Sequence, residues 1–518
     1  MDITSVGPDD LTLQATINCN ECLTDKHQYR WFIEDVLVSE TSNYQLTSND
    51  FDKQIRTEVT VNNHENLTDK AYQVITVSKN KVIEIYSTRG AFAALKSNGS
   101  VVTWGGNIFI DGSDELDLNN IKEVYTNQNN FSALKADNSL VTWGYNYDDV
   151  DSNALDLSNV INVYSTLQSH YGYLGHDGGF TVLKADGSLV TWGSIYLDGT
   201  SQSIEVDSIT EVYSTDGAFA ALKTDGSVDT WGDKDFGGDS SNVTLQNIVK
   251  IYSSPSAFAA IDDEGSVVTW GNKNFGGDSS NVTLEDVVKI YSNPYAFAAL
   301  KIDGSVITWG HSDYGGDSSK VDLTNTVEIY SNFGAFAALK ADGSVVTWGY
   351  NNFGGNSSVV TYNAITEGKN YRSISNELTS DVIGIYSTSW AFAALKNNGS
   401  VITWGHSDYG GDSNGLELHN VESIYSNRNA FAALKNDGSV VTWGKDSMGG
   451  DSSYIELTDI AKVYSTSYAF AALKNDGSVI TWGYSIFGGD SIYGGDSSAV
   501  AEDLRPSVEI ILVETDLL

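Results

Sequence analysis

The segment Ala335-Phe336-Ala337-Ala338-Leu339-Lys340-Ala341-Asp342-Gly343-Ser344-Val345-Val346-Thr347-Trp348-Gly349 is one of ten near-copies in this chain. The tryptophan of each copy falls at Trp104, Trp143, Trp192, Trp231, Trp270, Trp309, Trp348, Trp404, Trp443 and Trp482. Seven of the nine intervals are 39 residues, and the other two are 49 and 56. A fixed period of this size demands a repeat architecture, in which each unit buries its apolar faces against its neighbours. With the core spread along the chain in this way, the length of 518 residues no longer counts domains.

Each unit divides into four pieces. A strand such as Val288-Lys289-Ile290-Tyr291-Ser292 leads through a short variable tip into Ala296-Phe297-Ala298-Ala299-Leu300-Lys301. Asp303-Gly304 then turns the chain, because glycine supplies the positive φ of a tight hairpin. A third strand, Ser305 to Gly310, ends in the loop His311-Ser312-Asp313-Tyr314-Gly315-Gly316-Asp317 and a return segment, Lys320-Val321-Asp322-Leu323. Both side-chain parities of the hairpin are apolar or small, so the sheet is predicted to be covered on both faces. A blade between two other blades meets that need. A β-solenoid is the competing architecture, but solenoid coils are usually shorter and need no hairpin in every repeat.

Residues 1–79 lack the repeat and show period-two patterning with turn-rich gaps, which predicts a small β-sandwich. Ser78-Lys79-Asn80-Lys81 reads as the linker, and the propeller domain is expected to span 80–518. Cys19 and Cys22 have the spacing of a redox motif or half a zinc site, yet neither further ligands nor a strand-to-helix context accompanies them. A local disulfide across a loop is the favoured reading, and a reduced, inert pair is the alternative.

Sixty-eight acidic against 29 basic residues leave a formal net charge of −39. Such a field repels nucleic-acid phosphates and anionic membranes, so neither is expected as a partner. No apolar run is long enough to span a bilayer as a helix, and no signal peptide is visible at the start. The chain is read either as cytoplasmic or, preferably, as a piece of a longer exported protein, extracellular or at the cell surface.

The recurring Ala-Phe-Ala-Ala-Leu-Lys-x-Asp-Gly-Ser-Val-x-Thr-Trp-Gly, followed by an aromatic and Gly-Gly, resembles the regulator of chromosome condensation repeat over residues 82 to about 500. The resemblance implies a β-propeller, usually of seven blades; the short period is similar to a bacterial variant with three-stranded blades. Ten units leave two closures open: one large ring, or seven units plus three with the 56-residue interval at the break. Ser507 to Val513 is expected to act as a closing strand, its centre at 508–513. In the N-terminal region, Tyr29-Arg30-Trp31 and Tyr44-Gln45-Leu46-Thr47-Ser48-Asn49-Asp50 resemble bacterial immunoglobulin-like modules of surface proteins, which implies a stalk or spacer. The expected fold is therefore all-β: an immunoglobulin-like sandwich followed by a propeller of about ten short repeats of three to four strands.

The alternation of strand direction predicts that tips and Gly-Gly loops line one face and the Asp-Gly turns the other. The copies disagree at the tips, which carry Arg89, Asp216, Tyr295, Phe333, Trp390, Arg428 and Tyr468. These are the candidate binding residues, since aromatic rings and arginines are the usual anchors of an interface. The competing account is that tips vary because nothing constrains them; against it, Trp390 has no scaffold equivalent in other copies. No catalytic or metal residue is assigned. The acids of the Gly-Gly-Asp elements (Asp239, Asp278, Asp317, Asp412, Asp451, Asp490 and Asp496, with Asn356 replacing Asp once) could coordinate calcium, but one carboxylate per unit is thin. Turn capping is the simpler account. His311 and His406 are too far apart in a ring to share a metal.

Three functions follow in order. The first is a non-enzymatic recognition or adhesion protein whose rim binds a protein or glycan. The second is a polysaccharide hydrolase or lyase using acids at the propeller axis. The third is an inhibitor that plugs a partner enzyme with the same rim.

Overall fold

In the computed structural model, the described residues are 2–5, 12–16, 27–46, 50, 53–62, 68–144, 156–165, 178–194, 202–204, 208–356, 360–361, 371–372, 374, 376–484, 500–501, 503–505 and 507–517. They form ten antiparallel three-stranded units: blades 1 to 10, at 82–105, 121–144, 160–194, 209–232, 248–271, 287–310, 326–349, 382–405, 421–444 and 460–483. Gln202–Ile204 adds a fourth strand to blade 3.

The middle strand explains the repeat sentence. Ala296 and Ala298 of blade 6, with Leu323, pack in one cluster with Phe336, Trp348 and Ile329 of blade 7. Small residues on one blade thus accept the large rings of the next. Phe297 and Trp309, paired across the hairpin, stack with centroids 5.2 Å apart, and the same stack recurs throughout the ring. The expectation of a sheet covered on both faces holds: every alanine of Ala296–Ala299 and its phenylalanine is fully buried.

First strands lie innermost. The Ser292 hydroxyl donates to the Ser253 carbonyl at 2.8 Å, and Ser331, Ser387, Ser426 and Ser465 repeat the bond around the axis. All ten first strands carry a β-bulge near their start, which adds local twist.

One ring contains all ten units. Blade 10 packs on blade 1 through Ala469, Ala471 and Leu473 against Val82, Ile85, Phe92 and Trp104. Lys462 of blade 10 pairs with Glu84 of blade 1 at 2.8 Å. The long interval does not break the ring, because Ile374 and Leu378 rejoin the core between blades 7 and 8, and a short ladder, Val360–Thr361 with Tyr371–Arg372, accounts for part of the inserted length.

The closing-strand expectation for 508–513 is corrected. Ser507–Leu517 pairs antiparallel with Thr68–Asn80, setting Val508 opposite Lys79 and Ile511 opposite Thr76. The blade 10–blade 1 junction is already packed, with Leu504 buried in it, so the ring meets itself without this strand. The intended linker is likewise shorter than expected: Ser78 and Lys79 lie in the strand, and Lys81 alone separates it from Val82–Ser87.

Before the ring, Asp2–Ser5, Thr12–Thr16 and Asn43–Gln45 form one sheet. Val36–Ser39, Gln28–Ile33, Gln54–Asn62, Thr68–Asn80 and Ser507–Leu517 form another. Leu13 and Ala15 from the first meet Trp31, Ile33, Ile55 and Ile75 from the second in a shared core. The Trp31 indole donates to the Thr41 carbonyl at 2.9 Å, and Tyr44, stacked on Trp31, donates to Asp50 at 2.8 Å. Cys19 and Cys22 lie outside the described residues.

Candidate binding rim

Among the described residues, each tip is built by one polar residue. In blade 6 the Asn293 carboxamide oxygen accepts from the amides of Tyr295 and Ala296, while its Nδ2 donates to the Tyr314 carbonyl at 2.7 Å. Asn332, Thr388 and Asn427 make the same bridge to Phe353, Tyr409 and Met448. The His311 amide closes the link from the loop side, donating to the Tyr295 carbonyl at 2.9 Å. Tips and Gly-Gly loops therefore share one face.

Neighbouring tips are joined by their main chains. The amide of the second tip residue donates to the next tip's carbonyl: Arg89 to Gln128, Asp216 to Pro255, Phe333 to Ser389, Ser389 to Arg428, Arg428 to Ser467 and Ser467 to Arg89, at 2.7–3.3 Å. At blades 5 and 6 the equivalent residues are Pro255 and Pro294, which have no N–H to give.

On this frame sits a continuous aromatic belt. Tyr295 contacts Phe275, Tyr314 and Phe333, with centroids 5.3, 4.4 and 5.1 Å away. Phe333 continues to Phe353 and Trp390, and Trp390 stacks on Tyr409 at 5.4 Å with His406 edge-on at 6.1 Å. Tyr350, the most exposed ring of the group at 41%, stacks on Tyr314. The belt thus joins three of the candidate residues, Tyr295, Phe333 and Trp390. All three are half-buried against other rings rather than standing free on the rim.

Arg89, Arg428 and Tyr468 form a second group, across blades 9, 10 and 1. Arg428 Nη1 donates to the Tyr468 hydroxyl at 3.1 Å, and its guanidinium lies 5.7 Å from that ring's centroid. Burial raises the Tyr468 pKa, but the charges and hydrogen bonding of Arg428 and Arg89 outweigh it and hold the phenol below its ordinary value. Asp216 lies at the tip of blade 4, half-buried, its amide donating to the Pro255 carbonyl.

The tips alone did not reveal the loop half of the belt: Phe275, Tyr314, Phe353 and Tyr409. The aromatic residue recurring before the Gly-Gly of most loops, with Met448 in its place in blade 9, was the available signal, and it read as scaffold. The glycines are indeed scaffold. Gly315 has φ +104°, a Cβ there would stand 2.5 Å from the Phe336 ring, and its carbonyl accepts the Trp348 indole N–H at 3.0 Å. Asp317 accepts the Ser319 amide at 2.9 Å, and Asp239, Asp278, Asp412 and Asp451 cap their turns alike. Asp490 and Asp496 lie outside the described residues, among which no cluster of potential metal ligands occurs.

At the axis, Glu84, Glu211 and Glu328 pair with Lys462, Lys250 and Lys289 of adjacent blades, and Glu123 accepts from Tyr125. Glu211 is held below the usual carboxylate range by Tyr213 and Lys250.

No family model matches the chain, and no curated protein matches it. Similar solved structures include the computationally designed Ika8 protein, at 14% identity over 59% of this chain and 93% of that one, with a TM-score of 0.29. The CRINKLY WD40 ectodomain of the Arabidopsis thaliana receptor kinase ACR4 is 14% identical over 55% and 95%, with a TM-score of 0.30. Yeast RCC1 (Prp20), in a structure bound to Kap60, is 16% identical over 52% and 68%, with a TM-score of 0.29. The propeller rests on the ring's own contacts: ten blades in sequence, with the last packed on the first.

Proposed function

We propose that this protein is a non-enzymatic recognition protein that binds a macromolecular ligand, protein or glycan, through the rim formed by its tips and Gly-Gly loops. The observation that carries the proposal is the belt from Phe275 to Tyr409, which crosses four consecutive blades without a gap. The aromatic residue before Gly-Gly recurs in most units, whereas large rings at the three-residue tips do not: Phe333 and Trp390 each occur at one tip position only, and Tyr295 is matched only by Tyr468. Clustered Trp, Tyr and Arg beside well-packed neighbours are the usual composition of binding hot spots. The pairing of axial Glu84, Glu211 and Glu328 with lysines of adjacent blades supports binding over the hydrolase or lyase alternative. The N-terminal module is read as an immunoglobulin-like spacer, on the strength of its Tyr-x-Trp strand, and the whole as part of an exported or surface-displayed protein.

Pull-down from bacterial-surface extracts and a glycan array, each with the intact chain, test the proposal. Trp390→Ala, Tyr295→Ala and Phe333→Ala should each weaken capture by about tenfold or more, as hot-spot truncations do. Undiminished capture by the triple variant, with its melting curve intact, would remove the rim from consideration.

A further inference from the structure

The charge around the aromatic belt narrows the chemistry of the ligand, and this inference rests on the rim reading above. On blades 6 to 8 the belt is carried by residues 293–295, 311–317, 332–334, 350–356, 388–390 and 406–412. These segments contain four aspartates and no lysine or arginine. Asp313 and Asp408 are exposed, and neither pairs with a lysine or arginine among the described residues. Burial holds His406 below its ordinary pKa, so it brings no compensating charge at neutral pH.

The two aspartates stand at equivalent stations. Asp313 precedes Tyr314, on which the exposed ring of Tyr350 stacks, and Asp408 precedes Tyr409, on which Trp390 stacks. Phe353 joins the stations, its centroid 5.1 Å from that of Tyr350 and 4.7 Å from that of Trp390. One extended segment can therefore span both. Elsewhere in the ring such faces hold the protein's own cations: Lys289 lies 4.7 Å from the Tyr291 centroid, Lys462 4.7 Å from Tyr464 and Arg428 5.7 Å from Tyr468. Rings and carboxylates side by side suit a cation on a long apolar stem, whose methylenes lie on the rings while its head meets the carboxylate. That describes lysine and arginine rather than a neutral sugar. Pro294 adds an acceptor, because Pro255 has no N–H to give its carbonyl and no other donor among the described residues reaches it. In a chain of net charge −39, long-range attraction acts in the same sense.

We propose that the belt between Asp313 and Asp408 is the docking surface for a basic protein segment, whose lysine or arginine side chains lie along Tyr350 and Trp390 and end on the two aspartates.

The probe is a synthetic peptide alternating Lys and Ser, titrated against the intact chain in about 0.15 M salt, where screening over roughly 8 Å suppresses attraction from distant charges. Gln-Ser and Glu-Ser peptides and a cello-oligosaccharide are the comparison ligands. The Lys-Ser peptide should bind about tenfold or more tightly than any of these. The double variant Asp313→Asn with Asp408→Asn, and separately Tyr350→Leu, should each weaken it by about fivefold. Asp303→Asn with Asp342→Asn removes two charges from turns on the opposite face, where Asn98 and Asn398 already make the same cap, and should change nothing. The proposal is overturned if the Lys-Ser and Gln-Ser peptides bind alike, if the opposite-face pair weakens binding as much as the rim pair, or if Tyr350→Leu has no effect. Tyr350 and both rim aspartates are exposed, so these variants leave the core intact. Should Tyr350→Leu nevertheless fail to fold, the aspartate pairs and the peptide comparison still decide. Trp390→Ala separates the two readings. If it abolishes capture from extracts while the Lys-Ser peptide ignores every rim variant, the rim stands and the basic segment falls; if neither responds, both fall.

Discussion

The amide of Ser467 donates to the carbonyl of Arg89 across 3.1 Å, joining the tenth blade to the first by the same bond that joins Arg428 to Ser467 one blade earlier. The junction is thus an ordinary blade interface, and the ring closes with all ten units. A fragment ending after blade 7, at residue 349, would uncover the face of Ala335, Ala337 and Leu339 that blade 8 buries. It should aggregate or oligomerise on size-exclusion chromatography. A compact monomer with a cooperative melt would instead restore a seven-unit ring.

Gly276 faces the ring of Phe297, where a Cβ would stand 2.3 Å away, at φ +104°. Gly276→Ala should destabilise by roughly 3 kcal/mol, combining overpacking with left-handed backbone strain. Gly415 has φ +84° with nothing within 4 Å, so Gly415→Ala should cost only about 1 kcal/mol. Denaturant titration of both variants checks the difference; equal losses would mean that backbone strain alone governs these glycines.

Alkaline pH should affect two sets of tyrosines in opposite directions. Burial, aided by nearby Glu211 or Glu84, pushes axial Tyr213 and Tyr464 up to about 12. Their contribution to stability is complete below the unfolded-state pKa near 10 and is lost as pH rises towards 12. Tyr468, lowered by its two arginines, contributes in the other sense: its share grows as pH rises through its folded pKa and is complete above the unfolded value. Ultraviolet titration of phenolate should therefore show an early step that Tyr468→Phe removes. An unaltered curve would refute the assignment.

Chelation offers a test of the Gly-Gly-Asp turns. Because Asp317 and its equivalents already accept amide N–H bonds and converge with no second carboxylate among the described residues, excess chelator should leave the thermal midpoint unchanged. A lowered midpoint, restored by calcium, would show that these turns hold the ion.

The period, the Asp-Gly hairpin, the two-sided burial and the common face of tips and loops were all legible in the chain. Each depends on residues within one unit: Gly304 at φ +78°, or alanines on both sides of a phenylalanine that must fit between neighbours. Number of blades was not legible, because closure is the accumulated rotation of ten interfaces, and small differences in packing at each decide where the ring meets itself. Nor was the destination of Ser507–Leu517, since its apolar alternation suits a blade or a sandwich edge equally, and only a vacant partner strand distinguishes them. The tip residues could be named as candidates one by one. That Tyr295, Phe333 and Trp390 touch, and that Arg89 and Arg428 meet at Tyr468, depends on the curvature of the ring, which brings together side chains some 40 to 380 residues apart. Sequence alone determined the unit and its exposed words; tertiary structure decided which of those words stand side by side, because contacts between units arise only when the ring has closed.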